Sequence, residues 1–200
     1  MVVGGLVLAA GAGRRMGAPK ALLRLRGTTL ADRTLRIARD GGCDPAVVVL
    51  GAQADRVRAA ADLTGATVLV NADWESGLGS SLRAGLAALA GTRAVAALVL
   101  LVDTPGVSAA AVRRVLARGD RRALVCATYD GQRRHPILLG RDHWTAVAAL
   151  AEGDVGARPY LSSAGVAVAE VPCDDVADPT DLDTVEDAWR CGVDLGGATP

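Results

Sequence analysis

Phenylalanine is absent from these 200 residues, and lysine occurs once against 21 arginines. With only three tryptophans and two tyrosines, a core has to be packed from aliphatic side chains, and half of the residues are hydrophobic. Positive charge forms no block and the formal net charge is zero, which argues against extended binding to nucleic acid. The four cysteines, Cys43, Cys126, Cys173 and Cys191, form no C-x-x-C pair. They read as reduced thiols of a cytosolic protein, without a zinc site. No apolar run approaches the ~18 uninterrupted residues of a membrane span. The apolar start carries its arginines after the run rather than before it, unlike a secretory signal. A soluble, cytoplasmic protein with no membrane partner is the expectation.

What is present is an alternation. Apolar runs at Val2 to Ala9, Ala46 to Leu50, Thr67 to Val70 and Ala94 to Val102 read as strands. Between them lie helical patterns at about Leu30 to Arg39, Ala54 to Leu63 and Ser81 to Ala90, and Ser108 caps another. This order predicts βαβ units and a parallel sheet covered on both faces. After Leu124 to Thr128 the pattern changes, because the Asp130-Gly131 turn and the run Ile137 to Leu139 suggest an antiparallel pair. A helix at about Asp142 to Ala151, a strand near Val166 to Val171 and a helix at about Val185 to Arg190 complete one α/β domain over residues 1–191. Residues 192–200 read as a loose tail. Ligands of such sheets sit beyond the carboxyl ends of the strands, a rule that gathers the loop after Ala9, the segment Asn71 to Ser81 and Asp103 on one edge.

The loop after the first strand is the most informative stretch: LVLAAGAGRRMGAPK, from Leu6 to Lys20. Glycines let backbone N–H groups converge on an anion, and Arg14, Arg15 and Lys20 add mobile positive charge. The combination suits a polyphosphate, although a glycine-rich turn with solvated arginines has the same composition. It is not a P-loop, since Gly17 is followed by Ala18 and Pro19. It is not the dinucleotide fingerprint either, since Met16 stands where a third glycine belongs. The single lysine, Lys20, suggests a place that needs a compact ammonium rather than a planar fork.

Leu8-Ala9-Ala10-Gly11, then Gly13, Arg15-Met16-Gly17 and Lys20, resemble the L-A-A/G-G-x-x-x-R-M-G-x-x-K loop of the molybdenum cofactor nucleotidyltransferase family. The resemblance runs from about Val3 to Trp189 and is nearest the family's cytidylyltransferase branch. It implies a three-layer, Rossmann-like domain whose mostly parallel sheet carries an antiparallel strand. It also implies that Leu8, Ala9, Ala10, Gly11, Gly13 and Lys20 hold the nucleotide, with Arg15, Lys20 and Asp103 catalytic. Alanine rather than glycine at position 10 goes with CTP in this family.

Asp103 ends the most hydrophobic run, where a carboxylate needs water, a partner or a metal. As an isolated feature it reads first as a turn or N-cap aspartate, and its place on the same sheet edge as the phosphate loop shifts the balance to a metal. The family carries a metal-binding aspartate before a proline here, which implies Mg²⁺ at Asp103, although Val102 and Thr104 depart from the usual neighbours. Asp183 matches the family's second metal residue, and Asp181 reads as a surface residue. The bland alternative is that these acids complement a helix N-terminus. Gly79, Ser80 and Ser81, at a helix start, offer a further anion or base site, where a plain N-cap explains either serine singly. His135, Asp154 and Arg158 match the family's acceptor side. Trp74 reads as core or lid.

The implied reaction transfers CMP from CTP to the phosphate of molybdopterin or molybdenum cofactor. The implied partner is a molybdenum hydroxylase apoenzyme of the xanthine dehydrogenase type. Alternatives are a guanylyltransferase or another NTP transferase, a non-catalytic insertion partner, and a nicotinamide-dependent oxidoreductase, which Met16 and Pro19 disfavour.

Overall fold

The computed structural model describes residues 1–163 and 165–195. The first half runs β1 (Val3–Ala9), β2 (Arg24–Leu25), β3 (Thr28–Thr29), α1 (Leu30–Asp40), β4 (Ala46–Leu50), α2 (Ala54–Ala60), β5 (Thr67–Val70) and α3 (Leu78–Ala90). The second runs β6 (Ala96–Leu101), α4 (Ala109–Leu116), β7 (Leu124–Tyr129), β8 (Gln132–Gly140), α5 (Trp144–Leu150), α6 (Arg158–Leu161), β9 (Ala169–Pro172), α7 (Val185–Arg190) and β10 (Val193–Asp194).

Every residue of β1 is buried, as expected of a strand covered on both faces. Its alternation sorts the layers. Leu6 and Leu8 join Leu82, Leu86 and Trp144 from α3 and α5. Val7 and Ala9 face the other way, into a cluster with Leu30 and Leu35 of α1 and Val57 of α2. Along the same sheet a further cluster packs Leu98 and Leu100 of β6 on Val112 and Val115 of α4. The result is three layers, with a sheet in the order β5-β4-β1-β6-β8-β7-β9 between them. Only β8 runs against the rest, antiparallel to both β6 and β7.

The register places the chemistry. Ala9 pairs with Leu50 and Leu8 with Leu101, so the residues after β1, β4 and β6 emerge side by side at the carboxyl edge. The chain first builds outward through β4 and β5, then returns to the other side of β1, which makes the β1/β6 boundary the switch point.

Several boundaries differ from the sequence reading, and three of them have a clear structural cause. α3 begins at Leu78, not Ser81, with Gly77 at its N-cap. The strand expected from Val166 begins at Ala169, because Val166 and Val168 pack on the core rather than pair in the sheet. The tail expected to be loose from 192 onward begins with β10, whose Val193 pairs with Leu25 and is buried; residues 196–200 lie outside the described ones.

Candidate active site

A cleft of about 1230 Å³ opens over the carboxyl edge between the Gly11 loop and the strand pair β7–β8. The loop is bent by its own backbone. Gly13 has φ +60°, and a Cβ there would lie 1.9 Å from the Ala18 carbonyl oxygen, so the two ends of the loop touch. Met16 N–H closes the inner turn on the Gly13 carbonyl at 2.9 Å. A second short turn, Lys20–Leu22, follows Pro19 and brings Lys20 back under the loop.

Lys20 Nζ donates to Asp103 Oδ2 at 3.2 Å and to Asp183 Oδ1 at 3.0 Å. Its side chain is 18% exposed, that of Asp103 28% and that of Asp183 56%. Burial pulls the ammonium pKa down, but Asp103 and Asp183 together overcome it and hold the pKa above its ordinary value. Lys20 is therefore charged.

The second carboxylate is delivered by packing. Leu182 is fully buried, and its N–H donates to the Asp103 carbonyl at 2.8 Å, fixing this segment beside the end of β6. With the apolar residue turned inward, its neighbours Asp181 and Asp183 both border the cleft. The capping work at α7 falls instead to Asp187, which with Thr184 forms a capping box and also accepts from Asp183 N–H. That frees the Asp183 side chain for Lys20.

Asp181, read from sequence as a surface residue, is half-buried on the cleft wall and 3.4 Å from Arg134. Burial first, and then Asp103, raise its pKa, while Arg134 opposes them. The alternation Asp-Leu-Asp around an apolar residue was the signal that could have found it.

Leu8, Ala10, Gly11, Gly13, Arg15 and Lys20 all border the cleft, whereas Ala9 points into the core beneath α1 and α2. Trp74 is also a wall residue. It packs on Gly51, where a Cβ would lie 2.5 Å from the Trp74 Cβ and 2.7 Å from the Ala10 carbonyl oxygen. Of the two readings, core and lid, the structure shows Trp74 lining the cleft against Gly51 rather than buried in the core.

At α3 the sequence suggested an open N-terminus, and the structure closes it. Leu78 N–H meets Asp154 Oδ1 at 3.3 Å, and Gly79 N–H meets the Gly153 carbonyl at 2.8 Å. Gly77 allows this with φ +103°, where any side chain would strike Gly153. Ser80 is buried, its hydroxyl accepting from Asn71 Nδ2 at 2.8 Å and within 2.8 Å of the Gly77 carbonyl. Gly79 and Ser80 stand behind the wall, and of the three expected residues Ser81 alone borders the cleft. Asn71, which holds both serines, was not singled out from sequence as a clamp.

On the far side, β7 and β8 slip register between Cys126 and Ala127, leaving His135 and Pro136 outside the ladder. Such a bulge re-aims a side chain, here His135 towards the cleft. Burial pushes the His135 pKa down to about 4, with Asp103 opposing and Arg158 and Arg134 adding, so the imidazole is neutral. Arg158 borders the cleft at the start of α6, and among the described residues its guanidinium makes no hydrogen bond or ion pair.

Among the described residues, no three His, Cys, Asp or Glu gather as a metal set. Asp103 and Asp183 are two carboxylates facing one point, and Asp103 Oδ1 is buried without a partner. This fits a hard cation such as Mg²⁺, which takes one or two carboxylates and completes its shell with substrate phosphates and water. No described helix is long and apolar enough to cross a membrane.

The chain resembles known proteins over nearly its whole length. It is 40% identical over 196 residues to the nicotine blue oxidoreductase of Paenarthrobacter nicotinovorans, covering 94% of this chain and 95% of that one. It is 35% identical to the molybdenum cofactor guanylyltransferase of Rhodobacter capsulatus, covering 95% of each. Rv0371c of Mycobacterium tuberculosis superposes with a TM-score of 0.86 at 36% identity, over 96% of this chain and 97% of that one. Its complex with manganese superposes at 0.82 and 34% identity, over 96% and 98%. Residues 5–169 match the MobA-like NTP transferase domain, and the chain belongs to that nucleotidyltransferase family.

Proposed function

We propose that the protein transfers CMP from CTP to the terminal phosphate of molybdopterin or molybdenum cofactor and releases pyrophosphate. The observation that carries this reading is the convergence of Lys20, Asp103 and Asp183 beneath the glycine loop. An acceptor phosphate oxygen attacks the α-phosphorus in line, the bond to the β-phosphate oxygen breaks, and pyrophosphate carries away the electron pair. The attacking group is already an anion, so no strong general base is required, and charge repulsion is the obstacle.

The chain's own groups offset that repulsion. Arg15, Lys20 and the loop N–H groups hold the triphosphate and meet the negative charge that builds on the leaving pyrophosphate. Arg158, whose guanidinium is unpaired among the described residues, receives the acceptor phosphate, and His135 beside it is neutral. Asp154 acts on this side by fastening its loop to α3. Asp103 and Asp183 would hold Mg²⁺, which when bound supplies charge neutralisation at the phosphates.

Support for CTP comes from Ala10, which borders the cleft. It is alanine, as in the cytidylyl branch that the loop resembles, and its methyl group would narrow the space open to a purine. A second reading is GTP, favoured by the name of the Rhodobacter capsulatus relative. An oxidoreductase reading draws on the name of the Paenarthrobacter nicotinovorans relative. Delivery of the product to a molybdenum hydroxylase apoenzyme belongs to the same proposal. Pyrophosphate release measured with each NTP, with and without molybdenum cofactor, tests the set. Release with CTP that requires the cofactor supports the proposal. Release with GTP alone moves it to guanylyl transfer. No release with any NTP, together with tight NAD(P)H binding by fluorescence, replaces it with the oxidoreductase.

A further inference from the structure

We propose that Lys20 is the placeholder cation of the carboxylate pair, so that a divalent ion gains Asp103 and Asp183 only when a nucleoside triphosphate draws the ammonium away. The inference rests on the metal reading given above and adds an order to it. Lys20 Nζ bridges Asp103 Oδ2 and Asp183 Oδ1 at 3.2 and 3.0 Å, the position that an ion shared by those two oxygens has to take. Two positive centres cannot share that bridge. The ammonium leaves Asp103 Oδ1 buried and unpartnered, so the pair is only partly satisfied by one positive charge.

The alternative partner for Lys20 lies within reach. Its side chain emerges directly under the loop, whose Gly13 touches Ala18 and whose Arg14 and Arg15 are exposed at the rim. A triphosphate seated there offers the ammonium a larger anionic charge than the carboxylates do. Once Lys20 turns to it, both aspartates are open towards the phosphates. Thermodynamic reciprocity then requires nucleotide and metal to raise each other's affinity by the same factor. The device also keeps the two carboxylates from repelling each other in the free protein.

The test is Mn²⁺ binding, read by the loss of the free-ion electron paramagnetic resonance signal, on wild type and on Lys20→Met without nucleotide. Lys20→Met should bind Mn²⁺ roughly 10- to 100-fold more tightly, the worth of about one charge-assisted contact. A non-hydrolysable CTP analogue should tighten Mn²⁺ binding to wild type far more than to the variant. Lys20→Gln, measured alongside, serves if the methionine variant melts early. Equal or weaker Mn²⁺ binding by the folded Lys20 variants overturns the placeholder role. An additional Asp103→Asn protein separates the two ideas. If Mn²⁺ binding ignores Asp103, with and without the analogue, the metal reading itself fails. If binding needs Asp103 yet is the same in wild type and the Lys20 variants, only the placeholder falls.

Discussion

Gly11 and Gly13 sit two residues apart in one loop, and the structure assigns them different costs. A Cβ on Gly13 meets the Ala18 carbonyl oxygen at 1.9 Å and Lys20 N at 3.2 Å, on a backbone with φ +60°. A Cβ on Gly11 meets nothing within 4 Å, and its φ lies outside the left-handed region. Gly13→Ala therefore costs about 1–2 kcal/mol for the left-handed backbone alone. The clash adds to that, because the opposing atom is backbone and cannot swing aside. In a chain of this size a loss of 1–2 kcal/mol lowers Tm by about 2–8 °C. The displaced segment carries Lys20, so kcat/KM should fall as well. Gly11→Ala should leave Tm unchanged or raise it slightly, since it removes only freedom of the unfolded chain, worth about 0.4–1 kcal/mol. Its methyl group nevertheless projects into the cleft where the nucleotide is proposed to lie. The assay is a pair of thermal melts with nucleotide affinity by calorimetry: two defective binders, only one of them destabilised. If Gly11→Ala melts as early as Gly13→Ala, or Gly13→Ala keeps both Tm and affinity, the account of this loop is wrong.

Asp103→Asn should abolish metal-dependent pyrophosphate release while changing metal-free nucleotide binding far less; full activity at ordinary Mg²⁺ would place the metal elsewhere. Ala10→Gly should erode a CTP-over-GTP preference of roughly 10- to 200-fold in kcat/KM, mainly by admitting GTP. A nucleotide ratio unmoved by the substitution rules out Ala10 as the selector. Leu182→Ala should cost about 2–5 kcal/mol in denaturant unfolding, as expected for a leucine with no exposed surface. It should also depress turnover by loosening Asp181 and Asp183, and a stability loss below about 0.5 kcal/mol refutes that packing argument.

The parallel half of the fold was legible because its signals are local. β5 and α7 have the bounds expected of them, one an apolar run ending at Asn71, the other a helix opened by Thr184. The boundary missed at α3 has a tertiary cause. Ser80 and Ser81 look like caps in sequence, yet Asn71 takes their hydroxyls and the Gly153 loop satisfies the helix N–H groups. Nothing within the segment Asn71 to Ser81 announces a partner some 75 residues on. Asp181 was missed for the converse reason. Four acids lie close together there, and composition alone cannot say which of them the buried Leu182 turns towards the cleft. His135 is legible as a residue before a proline but not as a bulge, since a register slip exists only between two strands.

The clasp between α3 and the Gly153 loop has a consequence for how the cleft works. Asp154 lies in the short connection that leads to Arg158 at the start of α6, and it is fastened to the first turn of α3. The same α3 segment carries Ser81 and Leu82, which line the cleft with Leu8 on the side proposed for the nucleotide. The separation between the proposed nucleotide and acceptor ends therefore depends on backbone contacts at Gly77, Gly79 and Gly153 together with the Asp154 carboxylate on Leu78 N–H. Transfer between two anions demands that the attacking oxygen and the α-phosphorus be held within about 3–3.5 Å against their repulsion. A mobile charged side chain neutralises that repulsion, whereas the distance has to come from the frame that holds the two ends. In the proposed reaction the arginines and Lys20 would meet the charge, and the glycines, by letting two backbones touch, would help to set the span.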